Sequence, residues 1–315
     1  MKIVLARPRG VCAGVERAVK IVEIALERFG APVYVRKEIV HNQHIVGRLR
    51  DEGAVFVEEL DEVPDDAMVI FAAHGISPEV RDNAKQRGLK SIDATCPLVS
   101  KVHVEVLRYV KKGYELVFIG HEGHDEVIGT LGHAPDKITL VTDAAEARTV
   151  ILPEDKPMMV LTQTTLSMDD TQEILSILKS RYPSLETPSS DDICYATQNR
   201  QNAVKELCDH VDLLLVVGSQ NSSNASRLAE MGVPRGIPGY LIDTAAELKD
   251  EWLEGVTSVG VTSGASTPEE LVQGVVEALK KRGANELEQL DTISENVVFT
   301  LPPSLREKKA VPAPA

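Results

Sequence analysis

The sequence predicts an α/β protein: three pseudo-threefold-related small α/β units with parallel sheets around a central cavity. Two observations carry this expectation. Three lone cysteines recur at one phase of a repeated pattern: Cys12 before Ala13-Gly14-Val15, Cys96 before Pro97-Leu98-Val99, and Cys194 before Tyr195-Ala196-Thr197. Each closes an extended or irregular stretch and opens a helix-like segment. Short apolar runs rich in Val and Ile, bounded by Gly and polar turns, also alternate with segments of helical length. That is the pattern of strands buried on both faces and joined by helices.

Each unit is expected to run helix, strand, helix, strand, helix. In the first, Val15 to Phe29 has helical length and spacing, and Val33-Tyr34-Val35 is a strand leading to His41-Asn42-Gln43-His44. Val69-Ile70-Phe71 then leads to His74-Gly75-Ile76, and Ser77-Pro78-Glu79 starts a helix with a hydroxyl cap and proline at the first position. In the second, Leu98 to Lys112 is helical, Leu116 to Ile119 leads to His121-Glu122-Gly123-His124, and Met159-Val160-Leu161 leads to Thr164-Thr165-Leu166-Ser167. In the third, Leu213 to Val217 leads to Asn221-Ser222-Ser223-Asn224, and Val259-Gly260-Val261 leads to Gly264-Ala265-Ser266 and a further helix start at Thr267-Pro268-Glu269. Three markers in one order argue for a repeat. The expected units are 13–96, 97–193, and 194–282 together with 1–12, with 283–315 a C-terminal extension and flexible tail. Ligands of parallel sheets sit beyond the carboxyl ends of strands. The polar turns and the cysteines are therefore aimed at one central cavity.

Composition narrows the function classes. The 315 residues carry 34 basic and 48 acidic side chains, a formal charge of −14, which argues against a nucleic-acid binder. An anionic small ligand is still allowed, because helix N-termini and a few polar side chains suffice locally. No run of about 18 apolar residues marks a membrane span. The opening Met1 to Pro8 has too short an apolar run for a signal peptide. The chain is expected to be cytoplasmic, where thiols stay reduced and serve as ligands or catalysts more than as disulfides.

Each cysteine alone reads as an ordinary buried thiol, and no Cys-x-x-Cys pair is present. The shared phase instead points Cys12, Cys96 and Cys194 to a common site, one thiolate short of the four that close an ordinary iron–sulfur cluster. A thiol at a helix N-terminus is expected to ionise more easily. Cys208, inside the third helix, has no counterpart and is read as structural. His41/His44 and His121/His124 have the i, i+3 spacing of a zinc site on a helix face. The third unit carries Asn221/Asn224 there, which favours hydrogen bonding over metal ligation. His74, His124 and the Ser222-Ser223-Asn224 cluster suit a phosphate or diphosphate. Glu126, near a helix start, ordinarily complements the dipole; in an apolar cavity it becomes a raised-pKa acid. Thr164 is either a cap or a hydroxyl that relays a proton.

Taken together, the chain resembles the 4-hydroxy-3-methylbut-2-enyl diphosphate reductases, the LytB/IspH family. The likeness lies in Arg9-Gly10-Val11-Cys12-Ala13-Gly14-Val15, Ile39-Val40-His41-Asn42, Ala72-Ala73-His74-Gly75, Asp93-Ala94-Thr95-Cys96-Pro97, Gly120 to His124, Thr162 to Ser167, Ile193 to Thr197, Gly218 to Asn224 and Thr262 to Ser266, with Asn296 to Pro302 extending it. Nine collinear segments over most of the chain are specific where any one is weak. The resemblance implies reductive loss of hydroxyl from an allylic diphosphate, giving isopentenyl and dimethylallyl diphosphates in the methylerythritol phosphate route. It implies a [4Fe–4S] cluster on Cys12, Cys96 and Cys194 whose fourth iron binds the substrate hydroxyl. It implies diphosphate contacts from His41, His74, His124, Ser222, Ser223, Asn224 and Ser266, proton delivery by Glu126, and Thr164 orienting the hydroxyl. An electron donor of ferredoxin or flavodoxin type is implied too, since no Gly-x-Gly-x-x-Gly follows a strand.

The chain departs from the family pattern at Asp125, where Pro is common between the residues matching His124 and Glu126, at Ala225, where Ser is frequent, and in the Gly/Pro-rich stretch 231–239. None removes a residue given a role. Two other classes compete: a lyase using a metal as Lewis acid, which needs no electrons, and a cluster-binding sensor, which needs neither Glu126 nor Thr164.

Overall fold

The computed structural model describes residues 1–153 and 155–306; the tail expected over 307–315 lies outside the described residues. In chain order the elements are β1 (Lys2–Arg7), α1 (Ala13–Phe29), β2 (Val33–Arg36), α2 (Gln43–Asp51), β3 (Ala54–Val57), β4 (Met68–Phe71), α3 (Pro78–Gln86) and β5 (Lys90–Asp93). They continue with α4 (Pro97–Lys111), β6 (Glu115–Ile119), α5 (Asp125–Leu131), β7 (Ile138–Val141), α6 (Ala144–Thr149), β8 (Met158–Thr162), α7 (Met168–Arg181) and β9 (Leu185–Glu186). The last third holds α8 (Tyr195–Cys208), β10 (Leu213–Val217), α9 (Ser223–Glu230), β11 (Gly239–Ile242), β12 (Ser258–Ser263), α10 (Glu269–Lys281) and β13 (Glu286–Asp291).

The strands form three all-parallel sheets in the orders β3-β2-β4-β5, β7-β6-β8-β9 and β11-β10-β12-β1-β13. The same winding thus occurs three times, and the α/β class with three parallel sheets is as predicted. The N-terminal strand β1 pairs with β12 in the third sheet, and β13 adds beyond it. Each sheet is covered on both faces, as parallel sheets require. In the first, Ile70 packs with Val35 and Leu49 on one side, while its neighbours Val69 and Phe71 pack with Leu60 and Leu89 on the other. The other two sheets are likewise packed on both faces.

Two corrections concern the repeat. Each sheet has more strands than the two per unit expected, and β5 and β13 among the added strands lack continuous apolar runs. Lys90-Ser91-Ile92-Asp93 of β5 buries only Ile92 fully, and β13 is mostly exposed; charged edges of this kind are how sheets avoid edge pairing. The quartets at 41, 121 and 221 also fold differently. Asn42 and Ser222, second in their quartets, cap α2 and α9, whereas the fourth residue, His124, caps α5.

Helix starts follow the sequence closely. Ser77 Oγ caps α3 by accepting from Val80 N–H, with Pro78 at the first position. At 267–269 the expectation is off by one residue. Pro268 is the N-cap and Glu269 begins α10, because the buried Thr267 hydroxyl turns inward and donates to Val217 O at 2.9 Å. Among the described residues, no helix is long and apolar enough to cross a membrane.

Candidate functional site

The turns after the central strands converge. His41 follows β2, His74 follows β4, His124 follows β6, Thr164 follows β8, the serines follow β10, and Ser266 follows β12. Three of these turns, those after β4, β8 and β12, also receive a cysteine. Cys12 N–H donates to Ala265 O at 3.0 Å, Cys96 N–H to Ala73 O at 2.9 Å, and Cys194 N–H to Thr164 O at 3.0 Å. These are three equivalent bonds, each from a cysteine that caps the helix after it: α1, α4 and α8. Each cysteine is thereby pinned twice, by its own helix and by the strand-end turn of a neighbouring chain segment.

One cavity of about 110 Å³ is lined by every residue to which the resemblance gives a role: Cys12, Cys96, Cys194, Glu126, Thr164, His41, His74, His124, Ser222, Ser223, Asn224 and Ser266. Apolar Val15, Leu98 and Val99 line it beside the cysteines. Cys208 is elsewhere, packed with Leu207 and Val211 in a core cluster. His44 and His121 do not line the cavity. His44 is exposed opposite Glu270, and His121 Nδ1 faces Ser223 Oγ at 3.3 Å. The i, i+3 histidine pairs therefore do not act as pairs.

The cysteine end has room for an added group. A Cβ on Gly14 would lie 2.7 Å from Cys96 Sγ and 3.8 Å from Cys12 Sγ, so both sulfurs face the space that glycine leaves open. All three thiols are unpaired. Ionisation, however, differs from expectation. Burial pushes the Cys96 thiol up to about 12 and the Cys194 thiol up to about 11, with Cys12 adding repulsion at both. Desolvation outweighs the helix ends, so these thiols ionise only onto a cation, which deprotonates a coordinating thiol outright. Three soft sulfur donors in an apolar pocket suit iron and sulfide.

Glu126 is the chemical centre of the opposite wall. It is 2 % exposed, the second residue of α5. Its Oε1 accepts Thr164 N–H at 2.7 Å, and its Oε2 contacts Thr164 Oγ1 at 2.9 Å. Burial raises its pKa to about 7, against the two Thr164 bonds that lower it and with the nearby Asp192 charge raising it further. The carboxyl is thus poised to hold or release a proton near neutrality.

The polar end is made of neutral donors. Burial holds His74 well below the usual imidazole range, with the neighbouring His41 and His124 adding to the effect. Burial likewise takes His124 down to about 3. His124 Nδ1 accepts the Glu126 N–H at 3.1 Å, so the proton of the neutral ring sits on Nε2. Asn224 is 4 % exposed, yet neither amide atom has a partner. His74 Nδ1 is also buried without one. Buried polar atoms are nearly always satisfied, so these orphans mark where a polar ligand belongs. Ser222 Oγ accepts Ala225 N–H at 3.4 Å and keeps its own proton, while Ser266 Oγ donates to His41 O at 2.9 Å.

Several supporting residues carry no signal in the sequence. Glu38 Oε2 faces His41 Nδ1 at 3.3 Å and accepts from Asn221 at 2.8 Å. Gln163 accepts His121 N–H and donates to Thr165 Oγ1, each at 2.9 Å. Asp192 accepts Thr162 N–H at 3.0 Å and pairs with Lys101 at 3.1 Å. Arg200 is fully buried. It donates to Gly10 O at 2.7 Å, two residues before Cys12, and pairs with Glu295 at 3.1 Å. All four are polar residues inside or beside helices and turns, indistinguishable in sequence from solvated ones.

Comparison with known proteins gives a consistent picture. The family model described as LytB protein matches residues 3–280. A protein from Ectopseudomonas mendocina named 4-hydroxy-3-methylbut-2-enyl diphosphate reductase is 55 % identical over 98 % of this chain and 99 % of its own length. A protein of the same name from Cutibacterium acnes is 53 % identical over 98 % and 96 %. The solved structure of the E-1-hydroxy-2-methyl-but-2-enyl-4-diphosphate reductase from Plasmodium falciparum superposes with a TM-score of 0.94 at 43 % identity, covering 96 % of each chain. A second solved structure, described as the terminal enzyme of the non-mevalonate pathway, gives 0.63 at 34 % identity, covering 89 % of this chain and all of that one.

Proposed function

This chain belongs to the LytB family, and from that premise we propose that its cavity reduces 4-hydroxy-3-methylbut-2-enyl diphosphate to isopentenyl and dimethylallyl diphosphates. This is the terminal step of the non-mevalonate route to isoprenoids. In the reaction the allylic C–O bond breaks, two electrons and two protons enter, and the hydroxyl leaves as water. One observation carries the assignment: three thiols, a buried protonatable carboxyl and an unpartnered polar end share a single cavity.

Cys12, Cys96 and Cys194 hold a [4Fe–4S] cluster. The donor set fits it, with three unpaired sulfurs, Gly14 leaving space beside two of them, and the only other cysteine buried in a separate core. When bound, the cluster supplies electrons and an iron lacking a protein ligand, a Lewis acid for the hydroxyl. The protein supplies the rest. Hydroxide is a poor leaving group, so Glu126 holds one proton at Oε2 and passes it towards the departing oxygen. Thr164 Oγ1, 2.9 Å from Glu126 Oε2, orients the hydroxyl and completes the path. Apolar Val15, Leu98 and Val99 keep water from the reacting carbon.

The diphosphate occupies the polar end. His124 donates through Nε2, Asn224 through its free amide, and Ser222 and Ser223 through hydroxyls at the start of α9, where the helix dipole favours an anion. His41, its Nδ1 held on Glu38, lines the cradle beside His74 and Ser266. Contacts remote from the reacting carbon convert binding energy into orientation. Electrons arrive from a small ferredoxin- or flavodoxin-type protein in the cytoplasm, where thiols stay reduced.

The test is anaerobic. Iron and acid-labile sulfide are quantified, and substrate is added with reduced methyl viologen as donor. Substrate-dependent viologen oxidation with about four irons per chain is expected. A cluster without turnover would instead favour a lyase or sensor. No iron after reconstitution would remove the three-cysteine assignment.

A further inference from the structure

Asp125, one of the places where the chain departs from the family pattern, stands beside two of the cavity's histidines. One ring nitrogen of His41, one of His74 and a carboxylate oxygen of Asp125 all lie within 4.8 Å of one another. Two imidazoles and one carboxylate are the donor set that takes first-row divalent cations and leaves positions open. His41 Nδ1 faces the Glu38 carboxylate at 3.3 Å. A carboxylate only accepts, so Nδ1 carries the proton and Nε2 keeps its lone pair free. Metal-ligating histidines are typically oriented by such an outer carboxylate. His74 is kept neutral by burial, and its Nδ1 has no partner.

Asp125 is half-buried. The cations that share a side cavity with it are already engaged: Lys37 by Glu58 at 2.6 Å and Arg36 by Glu59 at 2.9 Å. His74 lines both the central cavity and a side cavity of about 80 Å³ that Asp125, Lys37 and Ser77 also line. His74 therefore stands between the two cavities, with His41 on the central side and Asp125 on the other.

We propose that His41, His74 and Asp125 form a binding site for a first-row divalent cation, typified by zinc, at the polar end of the cavity. The site uses imidazole nitrogens that diphosphate also needs, so cation and diphosphate exclude one another. It stands whether or not the cavity performs the reduction.

The experiment uses the full chain loaded anaerobically with its cluster, so that the thiolates are occupied. Zinc is titrated calorimetrically, and its surroundings are read by zinc-edge X-ray absorption. One zinc per chain is expected, with nitrogen and oxygen neighbours at about 2.0–2.1 Å and no sulfur at about 2.3 Å. Asp125→Ala should bind zinc at least about tenfold more weakly while retaining turnover. Glu38→Ala should weaken zinc by about 10–100-fold through loss of the outer carboxylate. Sulfur in the zinc shell, or unchanged zinc affinity in Asp125→Ala, overturns the proposal. Loss of the reductase assignment would show separately, as absent viologen oxidation with zinc binding intact.

Discussion

Thr164 grips Glu126 at both carboxylate oxygens, donating its backbone N–H to Oε1 at 2.7 Å and meeting Oε2 with its hydroxyl at 2.9 Å. The carboxyl is thus fixed in orientation, and its one flexible partner is a hydroxyl that can either donate or accept. A proton on Oε2 has a defined route into the cavity through Thr164 Oγ1.

Glu126→Gln keeps the shape and the Thr164 contact at Oε1 but removes the exchangeable proton. Turnover should fall by about 10²–10⁴-fold, while iron content and pyrophosphate affinity stay near wild type. Anaerobic steady-state kinetics with calorimetry of pyrophosphate binding checks this. Near-normal turnover would falsify the role of Glu126 as proton source.

The rate should fall as pH rises through about 7. Burial raises the Glu126 pKa to about 7, so the proton-bearing form that donates dominates below that value and is lost above it. For a single donor kcat drops tenfold per pH unit on the alkaline side. In Glu126→Gln the limb should vanish from the residual rate; a limb that persists there belongs to another group.

Gly14→Ala should fold and fail to hold iron. The added methyl would meet Cys96 Sγ at 2.7 Å, and the thiol tip can rotate away, so the fold survives while the ligand is displaced. Alanine is also the better helix former by about 1 kcal/mol. Circular dichroism should be unchanged or slightly more stable, with iron per chain reduced well below wild type.

The four cysteines should separate into two classes. Serine at Cys12, Cys96 or Cys194 should abolish stable iron loading. Cys208→Ser should load iron normally and instead lose about 1–3 kcal/mol of stability, the cost of burying an unpaired hydroxyl among Leu207, Val211 and their neighbours. Iron assay and urea unfolding, run on the same samples, distinguish the classes.

Glu295→Ala should destabilise the loop that carries Cys12. Arg200, 0 % exposed, binds Gly10 O and Glu295 together, and Asn199 also donates to Glu295 at 3.0 Å. Leaving the guanidinium uncompensated costs on the order of 3 kcal/mol. Faster hydrogen exchange at residues 9–12 than in wild type is the expected signature; unchanged exchange there would assign Glu295 a merely peripheral role.

The sequence by itself determined the α/β class, because doubly buried strands must be short apolar runs and helix starts must supply caps: Ser77-Pro78 was legible for that reason. It also set Cys12, Cys96 and Cys194, which line one cavity, apart from Cys208, since they share a phase that Cys208 lacks. Thr267 shows the limit. Whether a hydroxyl caps a helix or turns onto the Val217 carbonyl depends on a strand fifty residues away in the chain. Only the tertiary structure decided the chemistry of the cavity. The Glu126 carboxyl is raised to about 7, and the Cys96 and Cys194 thiols are raised too, through desolvation by segments distant in sequence. Asp125 meets His41 and His74 only because α5 packs against another sheet's turns. Local pattern sets secondary structure; side-chain direction and dielectric surroundings are set by long-range packing.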